Sequence, residues 1–333
     1  MYFDQYAKIY VAGHRGLVGS AICRDLEKQG YQNIITKTHQ ELDLEDQNKT
    51  EEFICDSKPD VVFLAAAKVG GIQANNTFPV NFLMNNLAIQ SNVIQASHKA
   101  NVARLIFLGS SCIYPKNCPQ PIKEEYLLTS ELEATNRPYA LAKIAGIEMC
   151  WSYNRQFKTQ YLAVMPTNLY GPNDNYDLET SHVLPALIRK IHEAKLKNST
   201  SVEIWGSGTP KREFLYADDL AGALILLMNL DEDKFKNLVH HDVCPIINVG
   251  SGEEIKIQDL AHKIIEEIQF KGQLINDTSK FDGTKQKLLK SNIIRSFGWS
   301  PKIDLNYGIK LTYSDFLSRN CWDAERCASE GAR

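Results

Sequence analysis

The 333-residue sequence predicts an α/β fold: a Rossmann-type doubly wound parallel sheet followed by a smaller α/β lobe. Three observations carry this. Lys8 to Ala12 is a β-rich run that feeds a glycine turn and then a helical pattern. Short apolar runs recur between amphipathic segments, and the texture changes after Pro172. At roughly 150 residues per domain, the length accommodates two lobes.

Composition excludes several classes. With 44% apolar and 23% charged residues the chain is neither disordered nor fibrous. A formal charge of −3 supplies no global field for nucleic acid or an anionic membrane, so an anionic ligand must be held by local groups. The densest apolar stretch, Leu220 to Leu230, is bounded by acids and falls short of the ~20 residues a membrane helix needs. Eight cysteines lie scattered without a CxxC pair, and the first residues lack a basic and then apolar leader. The expectation is a cytoplasmic protein with free thiols, with no metal site assigned.

Taken in order, Lys8 to Ala12 is the first strand, and Ser20 to Gly30 a helix with Ala21, Ile22 and Leu26 on its apolar face. The runs at 34–35, 61–65, 105–108 and 161–164 are further strands, and Phe82 to Lys99 is an intervening helix. The main boundary falls near 172. Residues 1–172 form the first domain, completed by about 214–250, and residues 173–333 form mainly the second. There, Thr180 or Ser181 is expected to cap a helix with Pro185 in its first turn. Strands follow at Val202 to Trp205 and Ile246 to Val249, with turns at 206–208 and 250–252 and a helix from Ile257 to Phe270. The helix from Asp218 to Leu230 and the strand after it return to the first domain.

Gly13-His-Arg15-Gly16-Leu17-Val18-Gly19 puts small residues where the chain turns, where backbone meets a pyrophosphate and where helix packs on sheet. The helix N-terminus then offers its N–H groups to phosphates. An ordinary strand-to-helix turn also has glycines, but the position after the first strand favours dinucleotide binding. About 20 residues further on, where NAD sites carry an acid, stand Lys37, Thr38 and His39. With Arg15 in the loop, they favour the 2′-phosphate of NADP, unless Lys37 and His39 are only a solvated pair. Asp43 is a contact to the adenine end or a turn residue.

Tyr139-Ala-Leu-Ala-Lys143, entered after Pro138, places phenol and ammonium on one helix face. An adjacent ammonium favours the phenolate, making a tuned acid for carbonyl reduction, and Lys143 can also hold nicotinamide ribose hydroxyls. The pattern alone also fits a half-buried tyrosine beside a surface lysine. Gly109-Ser110-Ser111-Cys112 follows the run ending at Leu108, at a strand's carboxyl end where open α/β sheets bind ligands, and Ser110 can share the carbonyl oxygen with Tyr139.

This set resembles the extended short-chain dehydrogenase/reductase superfamily of nucleotide-sugar enzymes. The stretches at 12–16, 64–72, 108–115, 165–172 and 205–210, continuing into Arg212-Glu-Phe-Leu, with Asp282-Gly-Thr and Lys287-Leu-Leu, resemble its GDP-L-fucose synthase family. The likeness runs from about residue 8 to about 315. It implies epimerisation of GDP-4-keto-6-deoxy-D-mannose at C3 and C5, then NADPH-dependent reduction at C4, in a homodimer paired through the Tyr139 helix and the helix near Phe82 to Lys99. Cys112 matches the family's base and His182 its acid; taken singly, a buried cysteine and a helix-start histidine have blander explanations. Leu17, Val18, Leu108, Gly109, Pro166, Asn168, Leu169 and His182 fall among the implied cofactor contacts, with Asn168 also near the sugar. Lys190, Trp205, Arg212 and Asp282 are implied for GDP, with Lys287 nearby; the plain alternatives are core packing for Trp205 and a solvated helix face for Lys190.

His39 and Lys190 stand where the family often has arginine, and the tail from Cys321 to Arg333 has no counterpart in it. Rival readings are a C4 reductase of a related sugar such as GDP-6-deoxy-4-keto-heptose, an NAD-dependent 4-epimerase, and a non-catalytic dinucleotide sensor. The last two leave the pair Cys112 and His182 without a task.

Overall fold

A computed structural model describes residues 2–279 and 282–319. Six parallel strands form the central sheet in the order Asn33–Ile35, Lys8–Ala12, Val61–Leu64, Arg104–Leu108, Tyr161–Pro166 and Ile246–Val249. Strand order reverses between Lys8–Ala12 and Val61–Leu64, and at such a reversal a crevice opens beyond the carboxyl ends of the strands. The inner strands are apolar on both faces because helices cover both. Ile9, Val11, Phe63 and Ile106 pack under helices Leu17–Lys28 and Ala217–Met228, whereas Tyr10, Val62, Leu105 and Phe107 pack under Pro79–Lys99 and Arg137–Phe157. Alternation with period two sends neighbouring residues to opposite layers.

The second lobe surrounds strand Lys211–Tyr216, which pairs in parallel with Asn168–Tyr170 and Gln286–Lys287 and antiparallel with Glu254–Lys256. Helices Val183–Leu196, Ile257–Ile268 and Leu305–Ser318 close a core of Ile188, Ile191, Ile264 and Phe316. A separate pair joins Ser201–Trp205 to Gln273–Asp277.

Helix starts depart from the sequence reading. The first helix begins at Leu17, not Ser20, because Gly16 with extended φ,ψ of −77° and 172° already serves as its N-cap. The helix expected from Phe82 begins at Pro79, whose ring suits a first turn. Neither Thr180 nor Ser181 caps Val183–Leu196. His182 holds that position without a side-chain bond, and Thr180 is occupied with Asp177 and Asn175. The segment from Cys321 to Arg333 lies outside the described residues.

Candidate active site

The Tyr139 helix approaches the sheet closely because Gly146 faces Phe107: a Cβ there would stand 2.4 Å from the ring. That approach lets Lys143 Nζ donate to the Leu108 carbonyl at 2.8 Å, with the Tyr139 ring centroid 5.8 Å away. Both residues are buried. Burial pushes the Lys143 ammonium down to about 7. Burial, reinforced by Cys112, pushes the Tyr139 phenol well above its ordinary range, against a hydrogen bond with Ser110. Burial thus acts on Tyr139 in the opposite sense to the phenolate-favouring effect expected of the adjacent lysine, and favours the protonated phenol. Phe82 meets the Tyr139 ring edge-on with centroids 6.3 Å apart, fixing its orientation.

Ser110 begins a short 3₁₀ turn and accepts the Cys112 N–H at 3.2 Å. Gly109 is held against strand Tyr161–Pro166, where a Cβ would fall 2.1 Å from Met165 Cε. Lys287 reaches over from the second lobe to within 3.6 Å of Cys112 Sγ. His182 is encircled by protein yet open to water, as a residue lining a cleft is. Burial, and then the Lys287 charge, hold its imidazole below the ordinary range. Gly70 and Gly71 permit the contact that places it: Gly71 N–H donates to Thr180 O at 2.8 Å, and a Cβ on Gly71 would stand 2.6 Å from Ser181 O.

At the glycine turn, Gly13 has φ of +84°, and an added Cβ would meet Ala66 N at 2.7 Å; one on Gly19 would meet Gly13 O at 2.1 Å. Since no side chain caps the helix, the N–H groups of Leu17, Val18 and Gly19 face the crevice unblocked by a capping oxygen. Arg15 is exposed beside them. Lys37 Nζ lies 3.9 Å from Glu41, a carboxylate that folds back to accept the Thr38 N–H at 2.8 Å. His39 Nδ1 is exposed, 3.7 Å from Asp43, which accepts the Glu45 N–H at 2.9 Å as a turn residue does.

Pro166 ends its strand, and Asn168 and Leu169 lie half-buried beyond it. In the second lobe Trp205 is 44% exposed, so it is not a core residue, and Lys190 Nζ stands 4.6 Å over its ring. Arg212 Nη1 donates to the Thr284 and Lys211 carbonyls at 2.6 and 2.8 Å. Asp282 accepts the Ser207 N–H at 2.9 Å and its hydroxyl at 2.7 Å, closing the turn after Trp205. One structural residue escapes sequence reasoning. Glu213 is fully buried, accepts the Gly252 and Leu289 N–H groups at 2.7 and 2.9 Å, and its carbonyl takes the Asn168 amide at 2.8 Å. Its only signal is its place beside Arg212, where strand alternation turns one of the two inward.

Residues 9–250 match the model of the NAD dependent epimerase/dehydratase family. A putative GDP-L-fucose synthase 2 of Arabidopsis thaliana is 53% identical over 94% of this chain and 93% of its own. The GDP-L-fucose synthase of Escherichia coli is 48% identical over 93% of this chain and 96% of its own. A GDP-mannoheptose C4 reductase from Campylobacter jejuni, solved with NADP bound, superposes with a TM-score of 0.85 at 39% identity, covering 95% of this chain and 99% of that one.

Proposed function

The chain belongs to the NAD dependent epimerase/dehydratase family, and from that premise we propose that it converts GDP-4-keto-6-deoxy-D-mannose to GDP-L-fucose with NADPH. The observation that carries the reading is the convergence of Ser110, Cys112, Tyr139, Lys143 and His182 on one cleft at the carboxyl ends of the parallel strands. The uncapped helix start, the tight turn that Gly13 and Gly19 permit and the open space at the missing Cβ of Gly16 fit a pyrophosphate, and Arg15 with Lys37 and His39 fits a 2′-phosphate. NADPH supplies the hydride that reduces C4.

Hydrogens on C3 and C5 are acidic because the charge left behind moves onto the C4 oxygen. Tyr139 and Ser110 donate to that oxygen and stabilise the enolate. In its thiolate form Cys112 Sγ removes one proton at a time, exchange of Cys112 and His182 with solvent resets the pair between the two carbons, and Lys287 stands ready to donate to the sulfur. His182, held below the ordinary histidine range, gives a proton readily to the opposite face. Tyr139, still protonated, then delivers its proton to the oxygen during reduction. Lys190, Trp205, Arg212 and Asp282 form the GDP end: two cations for the diphosphate, an exposed ring for stacking and an acid that shapes the turn.

The pairing surface is the joined helices Pro79–Lys99 and Arg137–Phe157, which leave Val80, Met84 and Leu141 exposed for a second copy. The six described cysteines are unpaired, which supports a reducing cytoplasmic setting, and no described helix is long and apolar enough to cross a membrane.

Turnover in deuterated water tests the reading. Deuterium at C3 and C5 with C4 reduced is the expected product by NMR. NADPH consumption without deuterium would make the chain a simple C4 reductase, as the Campylobacter jejuni structure is named.

A further inference from the structure

Among the described residues, one group of three metal-ligating side chains gathers outside the cleft: His240, His241 and Asp242, exposed in the turn between helix Glu232–Leu238 and strand Ile246–Val249. Their donor atoms all lie within 4.8 Å of one another. Asp242 Oδ2 stands 3.5 Å from His240 Nδ1 and 3.4 Å from His241 Nε2, and the two imidazole centroids are 4.0 Å apart. Around a tetrahedral ion with bonds of about 2.0–2.1 Å, donor atoms sit roughly 3.3 Å apart. Two edges of the donor triangle therefore match such an ion before it arrives.

The turn is also tethered. Trp151 Nε1 donates to the His241 carbonyl at 2.9 Å, and Val243 N–H to the His240 carbonyl at 3.0 Å. The Asp242 N–H reaches His240 Nδ1 only at 3.4 Å, a long bond that an ion displaces easily. Two imidazoles and one carboxylate are too rich in nitrogen for calcium or magnesium and lack the thiolates that softer ions prefer.

We propose that His240, His241 and Asp242 form a surface binding site for a borderline divalent cation of the zinc type, with water completing its shell. Trp151 lies twelve residues beyond Tyr139 on the same helix, about 18 Å along its axis, so the ion takes no part in the cleft chemistry.

Cobalt(II) is the probe. Titrated into the purified full chain, it should bind one equivalent with tetrahedral d–d absorption, no sulfur-to-cobalt charge-transfer band, and quenching of Trp151 fluorescence that W151F abolishes. Zinc should displace it. Losing even an outer-shell partner costs 10–100-fold in affinity, so H241A and D242A should each weaken binding at least about tenfold. No uptake at millimolar cobalt would leave the cluster as ion pairs only and overturn the proposal. So would uptake unchanged in D242A or carrying a thiolate band, which would place the ion on cysteine instead.

Discussion

Tyr139→Phe keeps the ring against Phe82 and removes only the donated proton. Turnover should fall by about 10²- to 10⁴-fold while NADPH affinity, read by fluorescence titration, stays within a few-fold of the parent. Lys143 gives a prediction with a sign. Its folded value of about 7 lies below the unfolded value near 10.4, so between those pH values the unfolded chain binds more protons and stability rises with pH. Denaturant unfolding should show the stability of the parent relative to Lys143→Met increasing from pH 7 to about pH 10. For His182, removing the Lys287 charge in Lys287→Gln relieves part of the depression. The high-pH limb of epimerisation set by His182 should then move to higher pH, measured as deuterium exchange against pH. At this scale the sequence makes Tyr139, Lys143 and Ser110 legible through spacing. It leaves the protonation of Tyr139 illegible, because its burial depends on Ala74 and Phe82, which arrive from other elements.

Elements were legible wherever an apolar period ran uninterrupted, as in the central strands and the helix from Asp218 to Leu230, which the structure places at Ala217–Met228. Starts were not, because a glycine or proline N-terminus does without the side-chain cap that marks a start in sequence. Close packing between elements was hidden too: Gly146 against Phe107 has no local signature. Gly19→Ala tests the first such approach. Its Cβ would overlap Gly13 O, so the variant should lose about 1–3 kcal/mol by thermal or denaturant unfolding and bind NADPH more weakly. Arg104, fully buried at the start of its strand, donates to the Met228 and Leu230 carbonyls at 2.7 Å each, ending the helix Ala217–Met228 from the sheet beneath it. Arg104→Met strips both acceptors of a buried partner and should cost about 3 kcal/mol in denaturant unfolding.

At the scale of the whole molecule, the proposed homodimer rests on Val80, Met84 and Leu141. Charging two of them in Met84→Glu with Leu141→Glu should give a monomer by light scattering while leaving the central sheet's circular dichroism intact. The central sheet also has a history in time. Its edge partner Ile246–Val249 lies about eighty residues beyond Pro166, the end of the strand it pairs with. At about 5–20 residues per second, a ribosome needs roughly 4–16 seconds to deliver it. Throughout that interval the emerging chain carries Tyr161–Pro166 as a bare, wholly apolar sheet margin, the kind that recruits other strands. Yield in the cell should therefore depend on chaperone supply more than the finished enzyme's stability suggests, and slowing translation within that stretch should lower it further.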